Sequence, residues 1–272
     1  MSGVLYLVST PIGNMADLSA RAVETLGAVA AVLAEDTRHS RPLLERHGIA
    51  TPLVAYHEHN EAKATPQVVA RLAAGESFAL ISDAGTPLLS DPGARLVRAA
   101  VDAGVTVSPV PGASALLAAL VASGVASDRF TFFGFLERKG KERAAAIAEI
   151  VALTHTAVVY EAPARVAATL AALAAAGAGA REAVVARELT KQFEEFRRGT
   201  VASLAESYQE AAPRGEVVLV IAGAEERAPD EAALRDRARG LRAEGLSARD
   251  VARVLTEESH APRNLAYRLA HE

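Results

Sequence analysis

The sequence predicts an α/β protein of two domains: a parallel five-stranded sheet with helices, then a mixed-sheet α/β domain, followed by a short helical extension. Three observations predict it. Short apolar runs that suit buried strands alternate with helical segments through the first half. The 272-residue chain is 50% apolar and 23% charged, enough to build a large core. Every apolar run in the first half ends in a polar or glycine-containing loop, which in an open parallel sheet places those loops along one rim. The expected boundaries are 1–120, 121–225 and 226–272.

Val4 to Val8 reads as a buried strand, and Ser9-Thr-Pro-Ile-Gly-Asn14 follows it at once. Asp17 and Ser19 start a helix through Leu26. The apolar run Ala28 to Ala34 is the second strand, closed by Glu35-Asp-Thr-Arg-His-Ser40 before a helix ending near Gly48. Leu53 to Tyr56 is the third strand, ending in His57-Glu-His-Asn-Glu61, and a helix begins at about Thr65. Phe78 to Arg98 organises this half: a strand to Ile81, the polar loop Ser82-Asp-Ala-Gly-Thr-Pro87, then a helix capped by Asp91 with Pro92 in its first position. Asp83 offers a carboxylate and Thr86 a hydroxyl at the mouth of that loop. Gly85 lets backbone approach a ligand closely. An Asx-turn before a capped helix accounts for the same residues. Val105 to Val110 is the fifth strand, and Pro111-Gly-Ala-Ser-Ala115 opens an Ala/Leu helix to Ser123. Small residues there suit either a flat ligand lying on the backbone or close packing of helix on sheet.

Leu120 to Asp128 is the expected crossover to the second domain. Arg129 to Phe135 alternates aromatic residues as a strand does, and Glu137 to Arg143 is a basic stretch before an Ala/Ile helix. Ala157 to Tyr160 is a strand ending in Glu161-Ala-Pro-Ala-Arg165, with an alanine-rich helix to Gly177 behind it. Ala183 to Thr190 is a strand running into Lys191 to Arg198, followed by a helix at 201–211 and the buried strand Gly215 to Gly223. Ala224 to Asp230 reads as a linker. Helices to about Glu244, over Leu246 to Leu255 and over Ala261 to Leu269 then resemble a small helix-turn-helix. Residues 231–272 carry eight arginines against seven acids, so their charge does not mark nucleic-acid binding.

The net charge of −4 gives no global attraction to nucleic acid. With no cysteine, thiol catalysis, disulfides and Cys-ligated metal are excluded. No signal-type segment or long apolar run is evident, which leads us to expect a cytoplasmic protein with no membrane partner. Thr10-Pro-Ile-Gly-Asn14 has one glycine where a dinucleotide fingerprint needs three, and Pro11 lacks an N–H for pyrophosphate. Gly134 to Lys141 has the wrong spacing for a P-loop, and Gly112-Ala-Ser-Ala-Leu116 lacks the second glycine of a nucleophile elbow. His57-Glu-His59 has Glu61 where a zinc-binding H-E-x-x-H needs histidine, so no metal is expected.

The ordered set Thr10-Pro-Ile-Gly-Asn14, Ala34-Glu-Asp-Thr-Arg38, His57-Glu-His-Asn-Glu61, Ser82-Asp-Ala-Gly-Thr-Pro87 with Ser90-Asp-Pro-Gly93, Pro111-Gly-Ala-Ser114, Tyr160-Glu-Ala-Pro163-x-Arg165, Ala186-Arg-Glu-Leu-Thr-Lys191 and Gly215-Glu-Val-Val218 closely resembles the bacterial 16S rRNA (cytidine-2′-O)-methyltransferases of the tetrapyrrole-methylase superfamily. The resemblance spans essentially the whole chain. It implies S-adenosylmethionine (SAM) in the cleft between the two domains, a homodimer, and 16S rRNA of the small ribosomal subunit as partner. By the same analogy Pro11, Gly13, Asp83, Gly85, Thr86, Ala113, Ser114 and Ala115 hold the methionine and ribose portions of SAM. Tyr160, Gly215, Glu216 and Val217 enclose its adenine. The first loop departs from the glycine-rich, Asp-ended loop of the corrin-methylating relatives, which argues against a corrin substrate.

A ribose hydroxyl is a poor nucleophile, so a base that takes its proton assists transfer. Asp36 and His57 are candidates on the expected rim, with Arg38 orienting a phosphate or the reacting ribose. Arg138, Lys139, Lys141, Arg187 and Lys191 are candidate RNA contacts. Two rival readings stay open: a SAM-dependent methylase of a small tetrapyrrole, and a non-catalytic SAM-sensing RNA-binding protein.

Overall fold

The computed structural model describes residues 2–225, 231–258 and 261–272. The described residues up to Ala224 form one compact unit that contains two sheets, and those from Glu225 onward form a second. Most of the expected linker, residues 226–230, lies outside the described residues.

The first sheet is built from β1 (Val4–Val8), β2 (Ala31–Ala34), β3 (Leu53–Ala55), β4 (Phe78–Ile81) and β5 (Thr106–Val110). They run parallel in the order β3-β2-β4-β1-β5. Helices α1 (Ala20–Ala28) and α2 (Thr37–Arg46) cover one face, packing Leu26 and Leu44 on Val32 and Ile81. Helices α3 (Glu61–Ala73) and α4 (Ala94–Asp102) cover the other, packing Leu72 and Leu96 on Leu33 and Leu80. Burial on both faces is why β2 and β4 read as unbroken apolar runs rather than alternating ones. The chain leaves β1 across β4 and leaves β4 across β1, so the strand order reverses between these neighbours. Such a reversal opens a crevice beyond the carboxyl ends of the strands. Thr10 and Gly85, from the loops after β1 and β4, bridge it with N–H···O bonds of 2.9 and 3.1 Å.

After α5 (Ala115–Ser123) comes the second sheet, of β6 (Phe130–Phe135), β7 (Thr156–Glu161), β8 (Glu182–Arg187), β9 (Glu195–Thr200) and β10 (Val217–Ile221). Its order is β6-β7-β10-β8-β9, with β6 and β7 parallel and the other pairs antiparallel, a mixed sheet as expected. Helices α6 (Lys141–Ala152), α7 (Val166–Leu173) and α8 (Val201–Ser207) pack on the face that presents Val159, Val185 and Leu219. Helix α5 packs Leu116, Ala119 and Leu120 on the opposite face, which presents Val158, Val184 and Val220.

Three local expectations need correction. Strand β9 was not anticipated: Glu195-Phe-Arg-Arg-Gly-Thr200 is charged because it is an edge strand, and charge protects an edge from further pairing. Asp91 does not cap α4. That helix starts at Ala94 behind Gly93, whose φ of 126° breaks the chain direction. Helix α3 begins at Glu61, ahead of Thr65, because the Asn60 side chain folds the preceding turn by accepting from His57 N (2.9 Å) and donating to Ala55 O (2.9 Å).

The second unit is α9 (Glu231–Ala243), α10 (Ala248–Glu258) and α11 (Arg263–His271) around a core that includes Leu234, Leu241, Val251, Leu255 and Leu269. Ser247 caps α10, accepting from Asp250 N at 3.2 Å. Among the described residues no helix is long and apolar enough to cross a membrane.

Candidate active site

Loops from the carboxyl rim of the first sheet and from one end of the second face each other across a cavity of about 350 Å³. The first sheet contributes Ile12, Glu35 and the loop 83–91; the second contributes Phe135, Tyr160 to Pro163, Leu189 and Gly215 to Val218. Register explains the second set. Val217 at the start of β10 pairs with Glu161 at the end of β7 and with Arg187 at the end of β8. The Tyr160 ring packs edge-on against Phe132 (4.8 Å) and tilted on Phe135 (5.5 Å), and its hydroxyl accepts from Leu116 N at 3.2 Å. That N–H is one of the donors left free at the start of a helix, so Tyr160 ties α5 to the cavity wall.

Two loops at this cavity hold non-glycine residues in the left-handed region: Leu88 (φ 73°) and Ser90 (φ 71°), and Glu188 (φ 52°) and Thr190 (φ 63°). Such conformations persist where surrounding structure enforces them, and they cluster at functional sites. Gly85 (φ 81°) also needs its missing side chain: a Cβ would stand 3.2 Å from Ile12 Cγ2 in the cavity wall.

The residues expected to bind the cofactor divide into three groups. Asp83, Gly85, Thr86, Ala115, Tyr160, Gly215, Glu216 and Val217 line this cavity. Pro11 and Gly13 line a second, smaller one beside it, together with Asp83 and Glu216. Ala113 and Ser114 line neither. The Ala113 carbonyl accepts from Thr86 Oγ1 (3.1 Å), and Ser114 caps α5.

The candidate catalytic residues are not brought to either cavity. Asp36 caps α2 by accepting from Arg38 N (2.8 Å) and holds the Arg38 guanidinium at 2.8 Å. Those bonds keep its carboxyl well below the usual carboxylate range, which makes it a weak base. The Arg38 side chain is 90% exposed. The His57 ring sits edge-on to His59 at 6.0 Å, and its Nδ1 is buried without a partner among the described residues. Five carboxylates line the cavity; Glu161 is paired with Arg165 and Glu216 with Lys191, which leaves Glu35, Asp83 and Asp91 with no ion-pair partner among the described residues. Burial first, then the Asp83 carboxylate, raises Glu35. Burial and then Glu35 push Asp91 up to about 6. The signal for Glu35 lay in its position directly after the last residue of a buried strand; Asp91 was hidden by its resemblance to a cap.

The candidate RNA contacts also divide. Arg138, Lys139 and Lys141 are exposed, just beyond Phe135 of the cavity wall. Arg187 is paired with Glu195 (2.5 Å), and Lys191 with Glu188 (3.0 Å) and Glu216 (2.8 Å). Among the described residues no group of His, Asp and Glu is arranged to hold a metal ion.

Residues 4–205 match the family of tetrapyrrole (corrin/porphyrin) methylases. The chain is 47% identical over 273 residues to the ribosomal RNA small subunit methyltransferase I of Synechocystis sp., covering 99% of this chain and 98% of that protein. To the protein of the same name from Mesorhizobium japonicum it is 52% identical over 234 residues, 86% of this chain and 79% of that one. The crystal structure of uroporphyrin-III C-methyl transferase from Thermus thermophilus complexed with S-adenyl homocysteine has a TM-score of 0.59 to this chain. The identity is 19%, over 81% of this chain and 97% of that one, a likeness of fold.

Proposed function

The chain belongs to the tetrapyrrole methylase family and within it to the ribosomal RNA small subunit methyltransferases I, and we propose that it transfers a methyl group from SAM to the ribose 2′-hydroxyl of a cytidine in the decoding region of 16S rRNA. The near full-length likeness to those relatives carries the reading. We take the protein to be a cytoplasmic homodimer.

The residues present fit SAM. The aromatic edge at Tyr160 and Phe135 and the backbone of Gly215 to Val217 suit a flat heterocycle. Glu35, Asp83 and Asp91 line the same cavity and would complement the positive charge of a sulfonium and an ammonium. When bound, SAM supplies a methyl group on a cationic sulfur. The chain aligns the acceptor, excludes water and takes the acceptor's proton. Asp83 is the best-placed base: Asp83 and Glu216 are the carboxylates that line both cavities, and Glu216 is held in an ion pair by Lys191. One of its oxygens is held by the Asp36 N–H at 3.2 Å, which fixes its direction. Asp36 thereby becomes a residue that orients the base through its backbone.

The test is transfer of labelled methyl from SAM to assembled small ribosomal subunits, with the labelled nucleoside identified by mass spectrometry after digestion. A 2′-O-methylated cytidine is expected. No label in rRNA, with SAM binding intact by calorimetry, would sink the assignment and bring the small-tetrapyrrole methylase forward.

A further inference from the structure

The second cavity, about 220 Å³, shares Ile12, Asp83, Ala84 and Glu216 with the first. Pro11, Met15 and Leu43 give it apolar walls. Of the buried side-chain polar atoms of its lining residues, one has no partner among the described residues. Ser40, 3% exposed, lines the cavity, and its Oγ has no hydrogen-bond partner among the described residues. A serine one turn into a helix commonly bonds its hydroxyl back to the carbonyl four residues earlier. Here the Ser40 N–H makes the ordinary bond to Asp36 O (3.0 Å), and the hydroxyl does not follow it. The neighbouring polar groups are engaged. Thr10 Oγ1 donates to Ser82 O at 3.2 Å, Ser82 Oγ to Ala84 O at 3.2 Å, and Lys191 holds its two carboxylates. A buried hydroxyl left free costs stability that a ligand can restore.

We propose that this cavity receives one nucleoside of the substrate RNA, turned out of its strand, with Ser40 Oγ bonded to the base and the ribose against the shared wall at Asp83. The proposal rests on the rRNA 2′-O-methylation reading and adds where the target nucleotide sits. Size supports it. The volume falls below the roughly 300 Å³ at which pockets for drug-sized ligands begin, so it suits a single sugar and base rather than a duplex or a tetrapyrrole macrocycle. Position supports it too, since an acceptor hydroxyl held at the shared wall faces the first cavity. Unstacking one nucleotide costs a few kcal/mol, least in a loop or single strand, so the site selects unpaired RNA.

The test uses the full chain with Ser40→Ala, which removes the hydroxyl, and Ser40→Leu, which fills the cavity. Three quantities are measured: KM for small ribosomal subunits at saturating SAM, SAM affinity by calorimetry, and the fluorescence of pyrrolocytidine, a fluorescent cytidine analogue, at the target position of a single-stranded RNA, which rises on unstacking. Losing one hydrogen bond to the base should raise KM about fivefold in Ser40→Ala. Filling the cavity should raise it tenfold or more and abolish the fluorescence rise. SAM affinity should stay within about twofold of wild type in both. Should Ser40→Leu fail to fold, the Ser40→Ala KM and the wild-type fluorescence decide. Wild-type KM in the folded variants, or no fluorescence rise with a wild-type enzyme that methylates subunits, overturns the pocket alone. A wild-type enzyme that methylates no rRNA overturns the underlying reading and the pocket with it.

Discussion

At the scale of single residues, the chemistry turns on which carboxylates face the cavity. Glu35 and Asp36 are adjacent, yet one lines the cavity and the other closes a helix end and an ion pair. Their chemical types do not distinguish them; the turn from β2 into α2 does. Asp91 gives a prediction with a definite sign. Its carboxyl titrates near 6 in the fold and at the ordinary value of 3.8 in the unfolded chain. Between those pH values the folded protein holds the proton and the unfolded chain has lost it, so this group lowers stability as pH rises through the window. Asp91→Asn should therefore raise Tm at pH 7.5, by about 2–4 °C for each kcal/mol recovered, and the gain should vanish toward pH 3.5. Calorimetry at both pH values checks it; an equal difference at both would refute the burial argument.

At the scale of elements, one buried network joins the cavity wall to the basic stretch. The Glu161 side chain, fully buried at the end of β7, accepts from Ala162 N (2.8 Å), Arg165 Nε (2.6 Å) and Thr169 Oγ1 (2.5 Å). Arg165 also donates to Leu136 O at 2.8 Å, next to Phe135, and Arg143 joins Thr169 to the Glu137 carbonyl. Removing one partner leaves a buried charge uncompensated, so Arg165→Met should cost about 3–5 kcal/mol. The double variant Glu161→Gln/Arg165→Met should recover much of it. Urea unfolding of the three proteins checks this, and equal losses in the single and double variants would show that the uncompensated Glu161 charge is not the source of the loss. Periodicity identified β7 and Arg165 nearby, but nothing local indicated that Arg165 would reach back to β6. The same limit hid β9, whose charged sequence makes sense only as the edge of a sheet.

At the scale of the molecule, two sheets of different direction present their loops to each other, and the exposed basic stretch 138–141 follows in sequence soon after Phe135 of the cavity wall. With an overall charge of −4, attraction for RNA has to be local. Lys139→Glu with Lys141→Glu should weaken RNA binding and lower the slope of log affinity against log salt by about one per lost phosphate contact. SAM affinity should be unchanged. Filter binding across a salt series checks it; an unchanged slope would exclude this stretch from the RNA surface.

The primary structure already contained the sheet strands of the first half, the polar loops at their ends, the mixed direction of the second sheet and eight of the residues that line the cavity. These follow from apolar runs, turn residues and ordered motifs, which are properties of neighbouring residues. It did not contain the choice of carboxylates, the pairing that withdraws Arg187 and Lys191 from a free basic surface, or the unclaimed hydroxyl of Ser40. Each of those depends on groups far apart in the chain meeting in space: Asp36 N with Asp83, Lys191 with Glu216, Ser40 with Pro11 and Met15. Burial and charge at a point are sums over everything packed around it, and that sum exists only once the loops of both sheets have closed on one another.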